Sequence, residues 1–412
     1  MKKIEVSDAL ASLSHLDGAL MVGTDRGGGH VAYLDFAETL TLDSTNGSEQ
    51  IGKLAKAVSP SGLSFSGWVG FFGYEFLANH AGIQLRAHRD ISVPEGFFGR
   101  PQTILRLSES RLSIESTLPN REEELAACLA GPVGSPKPLA NTVEIICNLS
   151  FDDYKKIFAT AREAILDGET YQIKISQRHE ARISIDPIDA FRRLHAANPS
   201  PEAFLIRHPD FAIVSCSPET AIDKRSHKIV TRPIGGTHER HSEIDEGVAI
   251  ARFLGDPKEV AEHNMLVDLE RNDLSAVCES GSVRIARFRE VETYAHLFHL
   301  VSTIEGRLRS DCDLADILRS MLPGGTVTGC PKIRTIEIID SLEPCFRGPY
   351  TGSFGTIGDD GSIRLNLIIR ALLIFKDRCF AQAGGGIVVD SSPEYEYNEN
   401  GVKARALLDL LQ

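Results

Sequence analysis

Paired cysteines, an excess of basic charge and long apolar runs are what this sequence lacks. Its eight cysteines (128, 147, 216, 278, 312, 330, 345 and 379) are scattered, without a C-x-x-C pair. That spacing excludes a zinc finger or a disulfide framework and fits reduced thiols. Lys and Arg number 44 against 57 Asp and Glu, for a net charge of -13. A chain so short of basic charge does not carry the footprint of nucleic-acid binding. Anionic small molecules stay admissible, because local arginines or a metal ion reverse the field inside a pocket. No apolar run reaches bilayer length, and the opening MKKIEVSDALASLSHLDGAL has no signal-peptide core. A cytoplasmic protein with no membrane partner is expected. Repeats and low-complexity tracts are also missing. Gly324–Lys332, GGTVTGCPK, resembles a phosphate loop only loosely and lacks its G-x-x-x-x-G-K-[ST] order.

What is present is an ordinary globular composition, 42% apolar and 25% charged over 412 residues. The clearest seam is Gly131-Pro-Val-Gly-Ser-Pro-Lys-Pro138, which can continue neither a helix nor a central strand. It divides an N-terminal region, 1–130, from a larger region, 140–412, with 131–139 as linker. Helices and strands alternate beyond the seam without a strict βαβ rhythm, so the fold class reads as α+β. Ser150 with Asp153 opens a helix whose apolar stripe is Tyr154, Ile157, Phe158 and Ala161, ending at Gly168. Tyr171–Arg178 alternates as a strand, with Gln172 and Lys174 on one face and Ile173 and Ile175 on the other. Pro257 and Pro331 open two further helices, and Gly401–Leu411 reads as a closing helix.

Four constellations are able to carry chemistry. Glu259 and Glu262 lie three residues apart on the Pro257 helix, and Glu396 and Glu399 repeat that spacing. Each pair shares a helix face, so together they form either a hard-oxygen cation site or two solvated surfaces. Gln382-Ala-Gly-Gly-Gly386 offers Gly384, Gly385 and Gly386 either as an anion-binding backbone or as a tight turn. Arg370 ends the apolar run Leu365–Ile369, as a rim residue or as a carboxylate clamp. His299 sits among apolar neighbours, where a core histidine competes with a catalytic one.

Taken jointly, nine stretches in fixed order resemble the chorismate-utilising enzymes, the family of anthranilate, aminodeoxychorismate, isochorismate and salicylate synthases. They are Gly168–Arg178 (GETYQIKISQR), Ser217-Pro-Glu219, Arg232–Thr237 (RPIGGT), Ala261–Asp273 (AEHNMLVDLERND) and His299–Ser302 (HLVS). The series continues with Pro323–Lys332, Gly348–Gly352 (GPYTG), Gln382–Gly386 and Glu396–Lys403. The resemblance implies a two-sheet β-sandwich with outer helices and a cleft. It implies Mg2+ on Glu262 and Glu399, supported by Glu259 and Glu396, neutralising the ring carboxylate of chorismate. It further implies Tyr350, Arg370 and the backbone of Gly384 and Gly386 on the enolpyruvyl carboxylate, with Gly385 and Lys403 in the same substrate-binding set. Glu219 becomes the general acid for loss of the ring hydroxyl, and Thr237, His299 and Thr326 orient the ring.

Within that family, members using water carry a lysine base where this chain has Gln172, and glutamine cannot deprotonate water at neutral pH. Ammonia needs no such base. The segments around Tyr171, Pro349 and Leu365 are most similar to component I of aminodeoxychorismate synthase, of the 4-aminobenzoate and folate type. Those enzymes carry a nucleophilic lysine where this chain has Gly235. Anthranilate synthase, which adds ammonia at C2 and eliminates pyruvate, has a small residue there. That enzyme is the alternative, together with 2-amino-2-deoxyisochorismate synthesis. Lys174 shares a strand face with Gln172, so its amine either reaches the cleft in place of the missing lysine or lies exposed on the strand. None of the cysteines has the glycine-flanked setting of a glutaminase nucleophile, so ammonia is expected from a separate glutamine amidotransferase subunit.

Overall fold

A computed structural model describes residues 6–108, 111–131, 143–239, 245–294 and 297–411. The expected linker, 131–139, lies outside the described residues beyond Gly131. Helix Phe151–Leu166 starts where the sequence places it: the Ser150 hydroxyl accepts the Asp153 N–H at 3.2 Å, and Gly168 turns the chain away with φ +76°. Helices Pro257–Val277 and Lys332–Leu342 likewise follow their prolines. The closing helix differs. It runs Pro393–Leu408 rather than starting at Gly401, because Ser392 caps the Tyr395 N–H and Pro393 occupies the first turn. That earlier start puts Glu396 and Glu399 on one helix. No helix of the described residues is long and apolar enough to cross a membrane.

The strands are β1 Leu20–Thr24, β2 His30–Leu42, β3 Gly67–Phe72, β4 Gly96–Ser108, β5 Arg111–Ser116 and β6 Ile145–Cys147. They continue as β7 Gln172–Arg182, β8 Glu202–Arg207, β9 Phe211–Ser217, β10 Thr220–Arg225, β11 Lys228–Thr231 and β12 Ile234–Glu239. The last are β13 Arg284–Thr293, β14 Leu297–Arg307, β15 Gly329–Cys330, β16 Ser353–Gly358, β17 Ile363–Leu367, β18 Ala371–Phe375 and β19 Arg378–Ile387. Their pairings are antiparallel and join into one hydrogen-bonded ladder. Its spine passes from β17 through β16, β3, β4, β2, β1, β8 and β9 to β18. Yet only Ile368, Ile369 and Arg370 connect β17 to β18 along the chain. So short a link spans about 10 Å, the spacing of facing sheet layers. The ladder therefore folds back on itself, which gives the expected α+β, sandwich-like layering. N-terminal strands pair with C-terminal ones, β3 with β16 and β1 with β8, so residues before the seam complete the same sheet.

Apolar side chains fill the layers. Ile173 and Ile175 of β7 pack with Tyr154, Phe158, Ile338 and Ile339 from two helices, and full burial of each such side chain contributes roughly 1.5–3 kcal/mol. One buried polar network crosses this core. Arg347 and Glu343, whose side chains are 2% and 4% exposed, meet in a two-point contact: Nε donates to Oε2 and Nη2 to Oε1, both at 2.8 Å. Arg347 also donates to the carbonyls of Val327 at 3.0 Å and Lys174 at 2.8 Å. Glu343 Oε1 in turn accepts the Ser176 N–H and hydroxyl at 2.8 Å. Glu75, a buried carboxyl pushed up to about 7 chiefly by desolvation, accepts the N–H of Arg347 at 2.7 Å. Removing one partner strands a buried charge. Arg347→Met should cost about 3–5 kcal/mol in denaturant unfolding, and adding Glu343→Leu should recover part of that loss.

Candidate active site

Beside this network lies a cleft of about 1380 Å³, counted to its open mouth. Its acid is Glu219, which follows the end of β9 and is held by its backbone carbonyl, the acceptor of the Leu367 N–H at 3.0 Å. The side chain is buried, and the Thr326 hydroxyl donates to its Oε1 at 2.9 Å. Burial pushes this carboxyl up to about 7, against the opposite pull of Thr326 and of Lys174. Near neutrality it is both a proton donor and a carboxylate, the condition for general acid work.

Arg370 stands on the link between β17 and β18, not at the end of a strand as the sequence suggests. Its φ is +49°, a conformation that costs a non-glycine residue energy and aims the side chain out of the sheet line. The backbone is fixed there because its carbonyl accepts the Cys216 N–H at 3.2 Å. Among the described residues no carboxylate forms an ion pair with the guanidinium, whose pKa is lowered by desolvation. A half-buried, planar cation lining a cleft is suited to an incoming carboxylate. Tyr350 borders the same end, its hydroxyl accepting the Gly384 N–H and its pKa raised by burial.

His299 is buried on β14 and lines the cleft. Desolvation, then the charge of Arg370, lowers its pKa to about 4, so it is a neutral imidazole at pH 7. Thr237 lies opposite it in the β12–β14 register; the side chain of Thr237 is outside the described residues.

The helical part of the cleft lining is acidic. Glu259 and Glu262 come from helix Pro257–Val277, and Glu396 and Glu399 from helix Pro393–Leu408. Among the described residues no three His, Cys, Asp or Glu side chains converge as a closed metal cage does. In kind, however, the donors fit a hard divalent cation, since all four are carboxylates on one cleft. Glu396 and Glu399 are close neighbours, the charge of Glu399 acting to raise Glu396, and a cation would relieve that repulsion. Burial and its partner raise Glu396, whose Oε1 also accepts the Ser391 hydroxyl at 2.8 Å. Burial acts to raise Glu399 as well, but Lys403, with Nζ at 3.0 Å, outweighs it and the carboxyl is lowered.

The glycines divide. Gln382–Gly386 is not a loop but part of β19, in register with β7. Gly384 and Gly386 line the cleft; Gly385 does not. A Cβ on Gly385 would sit 2.8 Å from Glu396 Oε2 and 3.2 Å from Glu399 Oε2, so this glycine admits the acidic helix against the strand rather than contacting a substrate. A Cβ on Gly386 would meet Gln172 Nε2 at 2.4 Å and Lys174 Nζ at 2.9 Å, which confirms that those two side chains share a face. Gln172 is buried, and its amide donates to Glu262 Oε1 at 3.3 Å. Lys174 is not an exposed strand lysine: it lines the cleft with its side chain 16% exposed.

Gly235 lines the cleft beneath helix Pro257–Val277. A Cβ there would lie 2.4 Å from His263 Nδ1 and 3.0 Å from the His263 Cα, so no side chain fits while the helix keeps its place. His263 was not among the expected site residues. Its signal was its position, next to Glu262 in the quoted stretch and one turn beyond Glu259. Its Nε2 meets Ser302 Oγ at 2.6 Å. Gly235→Ala should destabilise the protein by about 1–3 kcal/mol, read as a lowered melting temperature, with turnover reduced as the helix bearing Glu259 and Glu262 is pushed away.

Residues 19–409 match the family described as chorismate binding enzyme. The chain is 44% identical over 251 residues to anthranilate synthase component 1 of Haloarcula marismortui, covering 61% of this chain and 51% of that protein. It is 40% identical over 262 residues to aminodeoxychorismate synthase component 1 of Bacillus subtilis, covering 63% and 56%. The matched stretch thus spans about half the length of these two relatives. The fold is similar to the crystal structure of anthranilate synthase component I from Streptococcus pneumoniae TIGR4, with a TM-score of 0.78 and 28% identity over 96% of this chain and 91% of that one. With the match running from the first strand to the last helix around this cleft, the chain belongs to the chorismate binding enzyme family.

Proposed function

We propose that this protein aminates chorismate with ammonia supplied by a separate glutamine amidotransferase. The observation that carries the reading is the presence on one cleft of Glu219, a buried acid titrating near 7, and Arg370, a half-buried cation without an ion-pair partner among the described residues. Arg370 and Tyr350 hold the enolpyruvyl carboxylate. Glu219 protonates the departing ring hydroxyl, with Thr326 fixing its rotamer. His299, neutral at pH 7, accepts or donates a hydrogen bond without adding charge. Glu262 and Glu399, with Glu259 and Glu396, would hold Mg2+, which when bound supplies charge neutralisation for the ring carboxylate. Gln172 offers an amide and no base, so the nucleophile must arrive already able to attack, as neutral ammonia is.

An outside source of ammonia fits the cysteines. Burial raises the thiols of Cys216, Cys278, Cys330, Cys345 and Cys379, the reverse of an activated nucleophile. As to the ring position, His263 fills the space a lysine at 235 would need, which favours direct attack at C2, the anthranilate-type course. The aminodeoxychorismate course, attack at C4, is favoured by a different observation, the presence of Lys174 on the cleft wall.

Incubation with chorismate, Mg2+ and ammonium, followed by mass and fluorescence analysis, tests both. A fluorescent product that has lost pyruvate indicates C2 amination with elimination. A product retaining pyruvate that a lyase converts to 4-aminobenzoate indicates C4. No product with ammonium defeats the reading, and glutamine-dependent turnover by this chain alone defeats the partner. Glu219→Gln should lower kcat about 100-fold or more. Because Glu219 acts when protonated and its pKa is raised to about 7, kcat at a fixed concentration of un-ionised ammonia should fall as pH rises through 7.

A further inference from the structure

In the direct C2 course Lys174 has no assigned work, yet its position is tightly determined. Its N–H donates to the Thr328 carbonyl at 2.8 Å, and its own carbonyl accepts from Arg347 Nη2 at 2.8 Å. These two bonds fix the point on β7 from which the side chain departs. Its partner across the ladder is Gly386, where the absence of a Cβ leaves the path along which the lysine lies. The chain ends with Nζ 4.0 Å from Glu262 Oε1, in a pair whose side chains are 16% and 31% exposed. Glu262 is thus approached by two donors from β7, the Gln172 amide and the Lys174 cation. The other helix repeats the arrangement with Lys403 on Glu399. Each of the two carboxylates assigned to Mg2+ has a lysine beside it.

We propose that Lys174 is a resident counter-cation of Glu262 that competes with the divalent metal, so that metal entry requires Lys174 to leave this carboxylate. This rests on the metal reading given above. A cation already on a ligand weakens the binding of a second by the free energy of the first contact, and the effect is reciprocal. Lys174 leaves Glu262 for a cleft that also holds Glu219, whose carboxyl already feels its charge. An anionic substrate in that cleft gives the displaced cation a new partner. Metal and substrate then assist one another's binding, and Lys174 carries part of that coupling.

The experiment is calorimetric titration of the full chain with MgCl2, without chorismate, for the wild type, Lys174→Met, Glu262→Gln and the double variant. Methionine keeps the length and packing of the lysine stem. Lys174→Met should tighten Mg2+ binding about three- to fivefold, the weight of a partly exposed ion pair, and that gain should vanish in the Glu262→Gln background. Equal or weaker binding in Lys174→Met overturns the proposal while leaving the metal site standing, and so does a gain that persists without Glu262. Absence of Mg2+ binding in every protein overturns both, and is separable from the chorismate reading by turnover with ammonium in chelator. Circular dichroism and thermal melts establish that each variant is folded, and Lys174→Arg should bind Mg2+ as the wild type does.

Discussion

The two-point contact between Arg347 and Glu343 is the constraint on which the cleft depends. Five separate pieces of chain end on it: the Val327 turn, β7 at Lys174 and Ser176, helix Lys332–Leu342 through Glu343 itself, the Tyr350 turn and, through Glu75, the helix after β3. None of these would pay the desolvation of an ion pair alone. Together they satisfy every direction in which the guanidinium and the carboxylate bond, which is the condition under which a buried pair is tolerated. The result is stiffness where chemistry needs it. The neighbouring Thr326 holds Glu219, and Lys174 projects from the strand whose carbonyl Arg347 grips.

That stiffness lets the cleft keep charges apart. Arg370 and four glutamates from two helices line it together with Glu219, which is buried and close to half-protonated at neutral pH. In a mobile site these charges would collapse into pairs. Arg370 does not, because its positive-φ backbone is pinned by Cys216 on one strand and by the two strands it joins. The cost of that conformation is met by the packing around it, and a cation is left lining the cleft.

Much of this was legible in the sequence, and the parts that were not share a cause. Ser150, Pro257 and Pro331 announced their helices because capping and ring geometry act within a few residues. Ile173 and Ile175 announced the buried face of β7 because strand alternation is local. The paired glutamates were visible as spacing, but that both pairs face one cleft depends on the fold-back of the ladder. Arg370 read as the end of a strand because apolar run length does not show where a chain crosses between layers. Gly385 read as a ligand contact because a glycine that admits a helix and one that admits a substrate look alike in sequence. The Arg347–Glu343 pair was missed altogether. Its residues stand in turns outside any periodic pattern, and their partners come from distant parts of the chain.

Gly235 ties fold and chemistry together. A small residue at that position is compatible with two histories of the reaction, one in which ammonia attacks the ring directly and one in which a lysine elsewhere attacks first. The separation of His263 from the Gly235 backbone removes the local option, since even a methyl group would strike the helix. Lys174 is the lysine left on the wall, but its amine lies toward Glu262 and its backbone is clamped at both N–H and carbonyl. Holding a charge beside Glu262 and serving as a nucleophile are therefore competing uses of one side chain. The side chain as it stands serves the first, which supports the proposed reading of direct attack by ammonia.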